Sequence, residues 1–157
     1  MKKLFLIVFF VLFSFNKVVY PAGSSGGDTS SKSNYDKAVN LINSAKNYEK
    51  KNKIEKANKK LEKALGYFLS SYKESPNNIE ILSLLGFSYF LIGDPIMSEI
   101  YYMEGLDIDP KNNLLNQRLG ELYFNTKRVD MAKNRLKILK SCNCEEYLNL
   151  KNIIEKN

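Results

Sequence analysis

The stretch Ile79–Asn112, IEILSLLGFSYFLIGDPIMSEIYYMEGLDIDPKN, decides how this chain folds. Leu82, Leu85, Gly86 and Tyr89 recur at helical spacing before Gly93-Asp94-Pro95 interrupts them. Ser98, Tyr102, Gly105 and Leu106 then resume the pattern, and Asp109-Pro110 closes it. This periodicity predicts two helices joined by a tight turn. Gly93 suits the left-handed residue that ends a helix. Asp94 can cap the next helix, and Pro95 can take its first position, where no intrahelical N–H is required. Pro110 cannot continue that helix, so the second arm ends at Asp109.

The pattern returns after about 34 residues, a period expected of stacked helical hairpins. Gly86 maps onto Gly120, Tyr89 onto Tyr123, Leu85 onto Leu119, Ser98 onto Ala132 and Leu82 onto Asn116. In the other direction, Ala64, Phe68 and Pro76 stand in the places of Ser98, Tyr102 and Pro110. This ladder of small and aromatic residues resembles the tetratricopeptide repeat (TPR) family over about Ile54 to Cys144. The resemblance implies an all-α, right-handed superhelix of about three hairpins, here 35–78, 79–112 and 113–144. In such a fold Gly86 and Ser98 would lie where paired helices approach most closely. The position of Pro76 and Pro110 is Cys144 in the third repeat, a departure from the pattern. Residues 145–156, with Tyr147, Leu148, Leu150, Ile153 and Ile154 apolar, are expected to form a helix capping the last repeat.

The first repeat is only half in register. Asn52 falls where Gly86 would map, which predicts an insertion or a longer hairpin between Tyr35 and Lys60. A helix opening at Tyr35, with Ser33 or Asn34 as its cap, would carry Ala38, Val39, Leu41, Ile42 and Ala45 on its apolar side. The Lys50–Lys53 cluster reads as the turn, and Ile54 to Tyr72 repeats at spacings of three and four up to Pro76.

Ahead of the array, residues 23–34 are rich in Gly, Ser and Thr, a composition expected of a flexible linker. Residues 1–22 read as a secretory signal peptide: Lys2 and Lys3, an apolar run from Leu4 to Phe15, and small residues at Ala22-Gly23. The run is shorter than the ~20 residues needed to span a bilayer. Cleavage after Ala22 and export to a bacterial periplasm is therefore the expectation. Retention as a membrane tether facing that compartment is the alternative.

Composition narrows the function. The chain contains no His, which removes Ser–His–Asp and Cys–His chemistry and the commonest metal ligand. No enzymatic activity, cofactor or metal is expected. Setting aside Lys2, Lys3 and Lys17 leaves 21 of the 24 basic residues against 17 acidic ones, a mild excess, and Arg is rare, so a nucleic-acid partner is not expected. The Lys-rich run from Lys46 to Lys63 is interleaved with Glu49, Glu55 and Glu62, as on a solvated face.

What the family resemblance implies is protein–protein interaction. First helices of successive repeats would line a groove for a protein or peptide, through Ser83, Phe87 and Phe90 in the middle repeat and Gln117, Glu121 and Phe124 in the last. Glu80, Leu91, Leu114 and Asn125 share that face. The three Phe residues would be aromatic anchors, with packing against the neighbouring hairpin the alternative for Phe90 and Phe124, and Glu121 would select a basic group. No Lys/Arg pair for a terminal carboxylate is evident there. The reading is a small adaptor or assembly factor, with a self-associating or tethered envelope component as an alternative. Cys142 and Cys144, the two cysteines, are a disulfide candidate. They would form a local clamp before the last helix, with thiol or soft-metal handling as the second alternative.

Overall fold

The computed structural model describes residues 27–155, and residues 1–22, expected to be a signal peptide, lie outside them. Seven helices and no strand occur among the described residues: α1 (Gly27–Lys50), α2 (Ile54–Glu74), α3 (Ile79–Ile92), α4 (Pro95–Ile108), α5 (Asn113–Asn125), α6 (Val129–Leu139) and α7 (Glu145–Glu155). They pair as hairpins α1–α2, α3–α4 and α5–α6, with α2 on α3, α4 on α5, and α7 closing the end against α5 and α6.

All three hairpins turn in the same way. Asn52, Gly93 and Lys127 each adopt positive φ, at 55°, 83° and 63°. The following N–H groups, of Lys53, Asp94 and Arg128, reach back to the carbonyls of Tyr48, Tyr89 and Tyr123. This double-bonded closure satisfies carbonyls that the helix end would otherwise leave unpaired. Asp94 accepts from the Met97 N–H and Pro95 opens α4, as its sequence predicts. Between hairpins, Asn78 and Asn112 take over as caps, accepting from Ile81 N–H and Leu115 N–H.

The turn at Asn52 resolves the first repeat. α2 has 21 residues where α4 has 14, so the arm is longer by about two helical turns. Whole added turns return the apolar side chains to the same face. Phe68 and Ala64 therefore keep their register with Tyr102 and Ser98, while the turn itself moves out. Asn52 is not the counterpart of Gly86. That place belongs to Ala38, fully buried on α1.

The start of α1 also corrects an expectation. The helix begins at Gly27, so residues 27–34 of the anticipated linker are helical, and neither Ser33 nor Asn34 is a cap. Extending a helix that tertiary packing already holds adds one hydrogen bond per residue without a new nucleus. Asn34 Nδ2 instead donates to Ser70 Oγ at 3.4 Å, joining α1 to α2.

The core is a continuous spine in two parts. Ala38, Ile42, Ala64, Phe68, Leu82 and Leu85 centre the first, and Tyr102, Leu115, Leu119, Leu122, Tyr123 and Ala132 the second. Gly86 is required for that contact: a Cβ there would overlap the ring of Tyr102. Gly120 meets a different neighbour. Its added Cβ would lie 2.5 Å from Leu150 of α7, with Arg135 Cβ of its own hairpin at 3.3 Å. Leu136, the counterpart of Tyr102, is smaller and only half-buried, and the capping helix supplies the missing bulk. The two glycines are therefore alike in register but not in their closest partner.

Candidate functional site

Because α1, α3 and α5 stand side by side as the first arms of their hairpins, one face of each contributes to a common groove. At its centre is a concavity of about 430 Å³ walled by Tyr35, Ile79, Glu80, Leu84, Leu114 and Arg118, with Ser83 in its lining. Ile79, Leu84 and Leu114 make the walls largely apolar. Leu114 is an exposed apolar side chain here, at the N-terminal end of α5.

Polar groups mark the rim. The Tyr35 hydroxyl donates to Glu80 Oε1, tying α1 to α3. Burial, then the bond to Glu80 and its charge, push the Tyr35 phenol up to about 12, so it stays a neutral donor. Arg118 reaches from α5 over α3, and its Nη1 donates to the Ser83 carbonyl at 2.9 Å. The Ser83 hydroxyl is buried and makes no hydrogen bond among the described residues.

Phe87 lies beside this concavity and is not a bare ring. The Arg118 guanidinium sits 4.7 Å from its centroid and Lys46 Nζ of α1 lies at 5.2 Å. Two cations on one aromatic ring hold positive charge at the groove through the ring quadrupole. Glu121 is turned to a local task, accepting from Gln117 Nε2 at 2.7 Å. Glu121 is the selective charge expected from the family resemblance; the charge presented beside Phe87 is basic, from Arg118 and Lys46.

Phe90 and Phe124 are half-buried and pack against the second core cluster. Phe124 lines a separate concavity with Asn125, Val129 and Ile154 at the far end of the array. Neither is an open anchor beside Phe87. Both cover apolar surface of the second core cluster, Phe124 at the end closed by α7, which competes with projecting into the groove. Leu91 likewise belongs to a small recess near the first turn, with Ala45, Lys46 and Ala57.

Of the site residues named above, Tyr35, Lys46, Ile79, Leu84 and Arg118 are not on the predicted face; Ile79 and Leu84 adjoin Glu80 and Ser83 on α3. Tyr35 was hidden by the misplaced register of α1. Lys46 lies on the two added turns, which the repeat pattern does not cover. Arg118 starts from a neighbouring position and arrives by its length alone, a reach that residue spacing does not encode.

Cys142 and Cys144 are joined by a disulfide with their Cα atoms 5.1 Å apart. Asn143 between them takes φ of 48°, which bends the segment into a ring. The bridge lies between α6 and α7, away from the groove. No group of three or more His, Cys, Asp or Glu placed to hold a metal occurs among the described residues.

Comparison with known proteins places this architecture. Residues 79–112 match the family described as "Tetratricopeptide repeat". The "DnaJ protein P58IPK homolog" of Arabidopsis thaliana is 34% identical over 85 residues, which is 52% of this chain. The match spans only 17% of that protein's length. Among solved structures, the "First TPR of Spaghetti (RPAP3) bound to HSP90 peptide SRMEEVD" superposes with a TM-score of 0.55 at 18% identity, over 78% of this chain and 94% of the other. The NMR structure of the first TPR domain of human RPAP3 gives 0.55 and 18%, over 74% and 89%. At such identity these neighbours establish the shared fold.

Proposed function

We propose, from the premise that this chain is a tetratricopeptide-repeat protein, that it is a small exported adaptor holding a peptide segment of another protein against α1, α3 and α5. The observation that carries this reading is the concavity of about 430 Å³ between Tyr35, Leu84, Leu114 and Arg118. Its apolar walls suit an aliphatic side chain of the bound segment. Its rim of Tyr35, Glu80 and Arg118 can orient that segment's backbone, as in sites that combine an apolar bed with a few polar groups. A neighbour of the same fold binds an HSP90 peptide. Export to the periplasm rests on the composition of residues 1–22. No catalytic role is proposed.

Affinity capture from a bacterial envelope extract, read by mass spectrometry, tests this. Leu114→Lys and Arg118→Ala should each deplete the same captured protein about tenfold or more while the helical circular dichroism survives. Capture unchanged by both substitutions would reject the groove as the binding surface.

A further inference from the structure

The groove leaves one reactive group of the molecule without a task, the disulfide between Cys142 and Cys144. It is a weak staple. A single residue lies between the two cysteines, and so short a loop takes little entropy from the unfolded chain. The ring also holds Asn143 at φ of 48°, a backbone conformation that residues with a side chain seldom adopt. α7 is held without the bridge, because Leu150 is fully buried against Gly120. The coupling between bond and fold is reciprocal: a disulfide that stabilises the fold little is stabilised little by the fold. Both cysteines are half-buried and lie among exposed Lys140, Ser141, Asn143 and Glu145, so a thiol can approach them.

We propose that this bridge is a two-electron oxidant for a pair of thiols on another polypeptide. Its two sulfurs are not equivalent. Cys142 Sγ lies 2.9 Å from the Leu139 carbonyl oxygen, at the C-terminal end of α6, which suits a protonated thiol. Cys144 immediately precedes α7, where the free N–H groups of a helix start favour a thiolate. Glu145 and Glu146 oppose a negative charge there, but they act on both bonded sulfurs, whereas the two helix ends act in opposite senses. Cys144 is therefore the better leaving group. A substrate thiolate attacks Cys142 Sγ, the S–S bond breaks, and its electron pair departs on Cys144 Sγ. The chain has no third cysteine, so the second thiolate must come from the substrate. It attacks the substrate sulfur of the mixed disulfide, closes the substrate's own disulfide and expels Cys142. Two substrate thiols are oxidised and the bridge is reduced to two thiols. The two substrate protons pass through solvent to the cysteines, and each chain delivers one equivalent.

The oxidised full chain, mixed without oxygen at neutral pH with one equivalent of a synthetic peptide bearing two cysteines, tests this. Alkylation and mass spectrometry read both partners. About half or more of the peptide should close, with a matching gain of thiols at Cys142 and Cys144. In the reduced protein, Cys144 should react with iodoacetamide about threefold or more faster than Cys142. Inserting a glycine after Asn143 relaxes the ring and should lower the equilibrium constant of the exchange about threefold or more. Four results would overturn the proposal: a peptide that stays reduced, a reduced protein that loses its helical circular dichroism, faster alkylation at Cys142, or an equilibrium constant indifferent to the insertion.

Discussion

At Gly86 a single hydrogen atom separates a packed hairpin from a steric overlap. Tyr102 is almost fully buried, so its ring has no space into which to withdraw. Gly86→Ala should therefore cost about 1–3 kcal/mol in urea unfolding, the range for forcing extra volume into a packed core. Gly66 is the control. It lies within α2 with nothing near its missing Cβ, so Gly66→Ala should stabilise by about 0.5–1 kcal/mol. Lys127 occupies the left-handed position that Gly93 fills one repeat earlier. Lys127→Gly should gain roughly 1 kcal/mol by removing the Cβ clash of that conformation. Tyrosine ionisation gives a further check. Burial raises Tyr102 to about 12, and for Tyr72 the bond to Glu104 is the main cause of a rise to about 12. Each folded phenol holds its proton more tightly than an unfolded one near 10. The stability they confer is complete below pH 10 and is lost as pH rises from 10 to 12. Urea midpoints measured across that window should fall, and Tyr72→Phe should make the fall shallower.

Among the elements, α7 is the one whose worth is least evident from its own residues. Leu150 is fully buried against Gly120, standing in for the ring that Leu136 does not provide. Leu150→Ala should cost about 2–5 kcal/mol, as for other large-to-small core changes. The disulfide ahead of α7 closes so short a loop that reduction should lower stability by only about 1.5 kcal/mol in the entropic model. Thermal melts with and without reductant would compare the two. The longer first hairpin follows a related logic. Its added turns preserve the helical phase, so α1 and α2 lengthen without losing the buried contacts of Ala38, Ala64 and Phe68. Periodicity alone could place the end of α2 through Phe68 and Pro76. The Lys50–Lys53 cluster, where the apolar period breaks, marks the turn found at Asn52, although no glycine advertises it as Gly93 does one repeat later.

Over the whole molecule, the array separates its surfaces. Its first arms hold a basic, partly apolar groove, and its second arms expose Ile96, Ile100, Met131 and Ile138. The two should be independent: Ile100→Lys on the second arms should leave envelope capture of a groove partner intact. Substitutions at well-separated sites usually act independently.

The middle and last hairpins, the Asp94 cap and the capping helix follow from local chemistry: apolar residues at helical spacing, a glycine and a proline at the turn after α3, a small residue where axes converge. These are properties of neighbouring positions, so the chain written out as letters determined them. The groove's charge and the pairing of Gly120 with Leu150 were decided only in three dimensions. Each depends on how far a long side chain such as Arg118, Lys46 or Arg135 reaches between helices, and on which bulk is absent from the facing one. Distances across helices depend on packing, which no spacing along the chain specifies.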